Sequence, residues 1–460
     1  MRLFSSSAAA RLVVPALLLT ACAPDQTPPA ANPGSLDFSR YVAVGDNYTA
    51  GYSEGGLTLT GQQYSIPALL DQQFALASGT SSSFTQPLLP EGTGTGYLQL
   101  QGLDAHGLPV TRRVTRGRAT QSRAYFANAA ACGGPDTTFL YQRADAALPQ
   151  NLGVPFLRLT QIEVANLGNA SRLTTPDQFN PFLERILPLN DSRTYLQTVT
   201  DGSANATFFT FFMGLSDVLP YVLSGGDCGT TPSITLPRPA PAQKILDKLT
   251  ANGRPGIISL VPSVTQLPFV SRGTVKNVRP LLGANDTVYV RSSPANVVRA
   301  MDARDYVLPT GLAALGTLQT VGTVAVRYGL DRRAPLSRRD VLDFREVSFA
   351  DGYLTALNTE LVRLADNVYK IPVVNRTAGG ANLFSQVIFN PPASIGISIN
   401  GVTYSDDPVR GNFYSLDQYT FTPRGNAIFV NSFIREINRF YNASIPLLDP
   451  NTLPTTSRPR

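Results

Sequence analysis

Tyr41-Val42-Ala43-Val44-Gly45-Asp46-Asn47-Tyr48-Thr49-Ala50-Gly51-Tyr52 is the stretch from which the rest of the chain can be ordered. It is a short apolar run, then a Gly-Asp turn, then small and polar residues that lead toward a helix at about residue 65. A buried strand that stops at a glycine turn sets the next side chain at the C-terminal edge of a sheet. Open α/β sheets place their ligands at that edge. The side chain in that place is Asn47. A carboxamide has no acidic oxygen to deprotonate, so Asn47 cannot form an acyl-enzyme as a serine would.

Upstream, Arg2 and Arg11 give a basic start, and Leu12 to Thr20 form an apolar run too short to span a bilayer. Leu19-Thr20-Ala21-Cys22 resembles a bacterial lipobox. Residues 1–21 are therefore expected to be a lipoprotein signal peptide, with Cys22 as the lipidated N-terminus. Residues 22–36, rich in Pro and Ala, read as a tether. The expected location is the bacterial cell envelope, at the outer membrane, with the lipid anchor as the membrane contact.

Composition fits a large exported body. Of 460 residues, 43% are hydrophobic and 15% charged. The formal charge is +6, or +4 without Arg2 and Arg11. The basic residues are spread along the chain, which argues against a nucleic-acid partner. Once Cys22 is set aside, Cys132 and Cys228 remain, and outside the cytoplasm they are expected to pair. No Cys/His cluster is present, so no metal site or cofactor is expected.

Downstream, a helix is expected at about 65–77, capped by Ser65. Residues 79–97 read as loop, and Tyr97 to Arg113 as a hairpin with His106 in its turn. Thr207 to Met213 is a buried-type strand, followed by Gly214-Leu215-Ser216-Asp217, where Asp217 is expected to cap the segment Val218 to Leu223. A helix at 241–252, a strand at 255–261, a long helix at 338–366 and a strand at 369–374 follow. The region 270–336 has weak periodicity and reads as an insertion, as does 79–150. Asp417-Gln418-Tyr419-Thr420-Phe421-Thr422-Pro423 precedes an amphipathic helix for which Thr422 is a good cap. This alternation points to an α/β fold with a mainly parallel sheet and helices on both faces.

Four of these stretches resemble, in order, the motif blocks of the SGNH (GDSL-type) hydrolases. Gly45-Asp46-Asn47 is similar to Gly-Asp-Ser, with Asn47 at the nucleophile position. Gly153, in Asn151-Leu152-Gly153-Val154-Pro155, matches the glycine whose N–H serves the oxyanion hole. Gly214-Leu215-Ser216-Asp217 resembles Gly-x-Asn-Asp, with Ser216 in place of the second oxyanion donor. Asp417-Gln418-Tyr419-Thr420 is similar to Asp-x-x-His, with Asp417 retained and Thr420 at the base position. The resemblance, closest to lipid-anchored bacterial members with long insertions, implies a three-layer α/β/α domain over 37–446 and a tail at 447–460. Asn47, Gly153, Ser216 and Thr420 would then converge at one sheet edge.

It also implies that the chemistry is lost. Threonine has no pKa near neutrality and cannot serve as general base, and a weakened oxyanion donor costs about 10²–10³ in rate. Three readings stay open. One is a protein that binds an ester, acyl or glycan ligand without cleaving it. Another is an active esterase using Ser53, Thr49 or His106. The third is a purely structural envelope lipoprotein. The missing nucleophile and base favour the first over the second and do not separate the first from the third.

Overall fold

Apolar runs of four or five residues, buried on both faces, build the centre of the molecule. The structure, a computed structural model, describes residues 30–92, 94–104, 107–114, 120–121, 138–139, 147–172, 178–188, 190–227, 240–292, 296–376, 382–387 and 396–458. Cys22, Cys132, Cys228 and His106 lie outside the described residues, so their expected roles in lipidation, pairing and catalysis have no structural counterpart here. Residues 31–460 form one unit.

Four parallel strands lie side by side in chain order: β1 (Tyr41–Gly45), β2 (Phe208–Phe212), β3 (Gly256–Ser259) and β4 (Val373–Val374). Residues 150–154 run along the free edge of β1. The Ala43 N–H donates to the Gln150 carbonyl at 3.0 Å, Leu152 N–H to Ala43 at 2.8 Å and Val154 N–H to Gly45 at 3.0 Å. With this parallel edge segment counted, the order across the sheet is 2-1-3-4-5, and the direction of winding reverses at β1. The chain is thus a mixed α/β protein whose switch point lies at the C-terminal ends of β1 and β2.

Alternation along β2 explains how both faces are covered. Phe208 meets Phe74 of α1 (Ile66–Ser78) and Tyr441 of α4 (Pro423–Tyr441), while Phe212 meets Phe429 of α4. Phe209 and Phe211 point the other way and are equally buried. Caps fix the long helices where the sequence placed them. The Ser65 hydroxyl accepts the Ala68 N–H ahead of α1, and Thr422 accepts the Gly425 N–H ahead of α4.

Several elements are shorter than expected. The 241–252 helix is α2 (Pro241–Leu249). The long helix α3 (Phe344–Arg363) begins at a capping box, in which the Asp343 carboxylate accepts the Glu346 N–H and Glu346 returns to the Asp343 N–H. The residues ahead of it, Arg338–Asp340, form a separate short turn. β4 is only two residues long; Pro372 before it has no N–H to extend the ladder.

The insertion 270–336 combines short antiparallel ribbons with the short helices Val275–Val278 and Pro309–Ala314, and its Val278, Val288, Val290, Val307, Leu312 and Leu336 form a small core with Val341 just beyond it. The hairpin Tyr97–Leu103/Pro109–Val114 is present as expected. Residues 447–458 fold back: Asn431 exchanges hydrogen bonds with the Leu448 backbone, and Arg424 donates to the Leu453 carbonyl.

Candidate functional site

β1 ends at Gly45, and Asn47 opens the one-turn helix Asn47–Ala50. Asp46 between them is buried and turns toward the end of β2. Its Oδ2 accepts the N–H of Gly214 at 3.2 Å and of Ser216 at 3.1 Å. Gly214 has φ of +130°, which aims its N–H across the switch point and suits glycine alone. Burial raises the Asp46 carboxyl to about 6, against the opposing pull of the Ser216, Gly214 and Asn47 N–H groups. The Ser216 hydroxyl lies near enough to this carboxylate to favour its charge, yet makes no hydrogen bond of proper geometry.

Asn47 is 2% exposed. Its Oδ1 accepts the Phe156 N–H at 2.7 Å, which holds the loop 153–156 down on the end of β1. Its Nδ2 has no partner among the described residues. Two buried donor groups at the switch point, Asn47 Nδ2 and the Ser216 hydroxyl, thus find no hydrogen-bond partner among the described residues.

Gly153 lies where the loop presses on the one-turn helix. A Cβ there would come within 2.5 Å of the Ala50 nitrogen. Its N–H, the expected oxyanion donor, donates instead to Asn151 Oδ1 at 3.0 Å. Asn151 in turn donates to the Thr49 carbonyl at 3.1 Å. Beside Gly153 is a cavity of about 10 Å³, bordered by Gln62, Asn151 and Arg185 among others, with room for a single water.

Asp217 does not cap the helix that follows it. Its carboxylate accepts the N–H groups of Leu159 at 2.9 Å and Thr160 at 3.3 Å, and so caps the turn Leu159–Gln161 on the neighbouring loop. Burial raises it, too, to about 6.

The C-terminal turn is joined to the β1 end through the segment that follows Asn47. Tyr48 stacks between Phe212 and Phe421, and its hydroxyl donates to the Tyr419 carbonyl at 2.7 Å. Asp417 Oδ2 accepts the Gly55 N–H at 2.9 Å, and its Oδ1 accepts the N–H groups of Tyr419 and Thr420. The Thr420 hydroxyl donates to Asp417 Oδ2 at 2.5 Å and lies 3.1 Å from the Ser415 hydroxyl. No hydrogen bond joins Thr420 to Asn47 among the described residues. Ser53 and Thr49, the aliphatic hydroxyls nearest Asn47 in sequence, donate to the carbonyls of Phe421 and Phe212.

Sequence reasoning missed Glu54. It adopts a left-handed φ of +55° and is buried. Its carboxylate accepts the Leu416 N–H at 3.0 Å and the Thr456 hydroxyl at 2.8 Å, tying the C-terminal turn and the last residues to the chain after Asn47. Burial raises its pKa. The adjacent Glu54-Gly55 pair marks a turn, but only the fold brings residues 416 and 456 to it.

The described residues include no group of three or more His, Cys, Asp or Glu side chains placed to hold a metal ion. No described helix is long and apolar enough to cross a membrane. The class defined so far is an α/β protein with a closed, polar switch point. No family model, no curated protein and no solved structure matches the chain.

Proposed function

We propose that the chain is a catalytically degenerate SGNH-type envelope lipoprotein that does not hydrolyse esters. The strand order, and the sequence in which Asn47, Gly153, Ser216 and Asp417 appear, support a three-layer α/β/α domain of that type. One observation carries the loss of activity: polar groups at the catalytic positions are engaged by the fold itself. Asn47 Oδ1 holds Phe156, the Gly153 N–H holds Asn151, and Thr420 and Asp417 hold each other. A nucleophile and a base must reach one another and the substrate, and neither Asn47 nor Thr420 can fill those roles.

A second reading, retention of a ligand, is favoured by the unsatisfied Asn47 Nδ2 and Ser216 hydroxyl. Buried donors without partners are uncommon, and both could serve one acceptor oxygen of an ester, acyl or glycan group. Entry would require the loop 153–156 to lift. Binding of such ligands by the purified protein, lost in Asn47→Leu, supports this reading. No binding across a glycan and lipid array leaves the scaffold reading standing.

Anchoring through Cys22 belongs to the same proposal. Cys22→Ala should release the protein from the membrane fraction, and unchanged association would contradict it.

A further inference from the structure

Asn32, near the start of the folded body, is tied to the residues just past α4. Its carbonyl accepts the Ser444 N–H at 2.8 Å, and its own N–H donates to the Ser444 carbonyl at 3.2 Å. Gly34, at φ +66°, packs on the carbonyls of Tyr441 and Asn442, where a Cβ would come within 3.0 Å of each. Cys22, the expected lipidation site, lies ten residues before Asn32. Ten residues span at most about 36 Å, whatever path they take.

The same residues lie at the edge of the sheet where the strands begin, opposite the switch point. Tyr441 meets Phe208, the first residue of β2, and Phe429 meets Phe212, the last, so α4 runs antiparallel to that strand. The Tyr441 hydroxyl donates to the carbonyl of Gly256, the first residue of β3, at 2.7 Å. The 19 residues of α4 carry the chain about 28 Å from the switch-point side to this edge. α3 marks the other side: its Asp351 carboxylate accepts the Ser263 hydroxyl and the Val264 N–H, both past the end of β3. In the last turn of α4, Phe440 is 45% exposed.

We propose that the strand-start edge of the body faces the bilayer that holds the anchor, with the switch point turned to the aqueous side. This rests on lipidation of Cys22 and not on how the switch point is read. The strand-start edge meets the bilayer at any extension of the ten residues. Presenting the switch-point edge instead would lift Asn32 about 28 Å off the surface and consume most of the roughly 36 Å available. The exposed ring of Phe440 at this end suits the boundary between headgroups and acyl chains. The short lead to the anchor selects the bilayer over a protein partner or a second copy, because in every anchored molecule that surface is within reach of this edge.

The chain contains no tryptophan, so a single introduced one reports from a single place. Phe440→Trp and Phe349→Trp replace rings that are 45% and 44% exposed, so neither disturbs the core. Phe349 lies two residues before Asp351, on the switch-point side. The lipid-bearing protein is reconstituted into phosphatidylcholine vesicles with and without a dansyl-headgroup lipid, and energy transfer from tryptophan to dansyl is measured. Transfer is expected to be at least about twice as efficient from Phe440→Trp as from Phe349→Trp, across a separation on the order of 28 Å. Equal transfer, or the reverse order, overturns the proposal and leaves the anchor in place. Failure of the lipid-bearing protein to cosediment with the vesicles overturns the anchoring reading and this proposal together.

Discussion

The Thr420 hydroxyl donates to Asp417 Oδ2 at 2.5 Å, and both residues are buried. This is the bond a histidine three residues after the aspartate would be expected to make, and a hydroxyl makes it without bringing a proton acceptor. The turn is locked further by the Gly55 N–H on the same oxygen. The turn is a structural joint between the C-terminal segment and the chain that follows Asn47.

The joint predicts a measurable dependence on Thr456. Its hydroxyl is a donor to the buried Glu54 carboxylate. Thr456→Val removes it and leaves Glu54 short of a partner, at a cost of roughly 1–3 kcal/mol. The loss should appear as a lower midpoint in urea unfolding and as faster hydrogen exchange at Gly55 and Leu416. Thr456→Ser should restore both.

Gly153→Ala should destabilise by about 1–3 kcal/mol or more. The added carbon would come within 2.5 Å of the Ala50 nitrogen and 2.7 Å of the Thr49 carbonyl carbon, both backbone atoms that cannot swing aside. An unchanged unfolding midpoint would show that the loop does not press on the one-turn helix.

Stability should fall as pH rises through the range in which Asp46 and Asp217 ionise. Burial raises each from 3.8 to about 6, so the folded chain holds these protons more tightly than the unfolded chain. Their contribution is fully present below 3.8 and is lost as pH climbs through about 6. At about 1.4 kcal/mol per pKa unit, the upper limit is roughly 3 kcal/mol for each carboxyl. Urea unfolding measured across this range should show the decline, and Asp46→Asn should remove its share of the slope.

Much of this was legible in the sequence, for definite reasons. β1 and β2 are short buried runs, apolar but for Thr210, that lead into glycine turns, and α1 and α4 carry their own caps at Ser65 and Thr422. The stretch around Gly153 reads as a loop and not as a sheet edge, because it has one bridge, no apolar run and a partner more than a hundred residues away. The sequence offers Asp217 a local cap as well as a place in the third motif block, whereas its real donors, the Leu159 and Thr160 N–H groups, lie on a turn that only the fold brings to it. The ribbons of 270–336 are two to four residues long, too short for any period to stand out. The use of the Gly153 N–H by Asn151 is a two-residue contact, visible in principle as an Asn-x-Gly turn, but the motif reading gave that N–H another partner.

Hydrolysis of short acyl esters by the purified chain tests the central claim most directly. With Asn47 and Thr420 at the positions proposed for nucleophile and base, at most about 10³–10⁴-fold over water is expected, and the rate should not change in Ser53→Ala. Saturable turnover well above that level, abolished by Ser53→Ala or His106→Ala, would contradict the account and make the protein an enzyme with an unfamiliar set of catalytic residues.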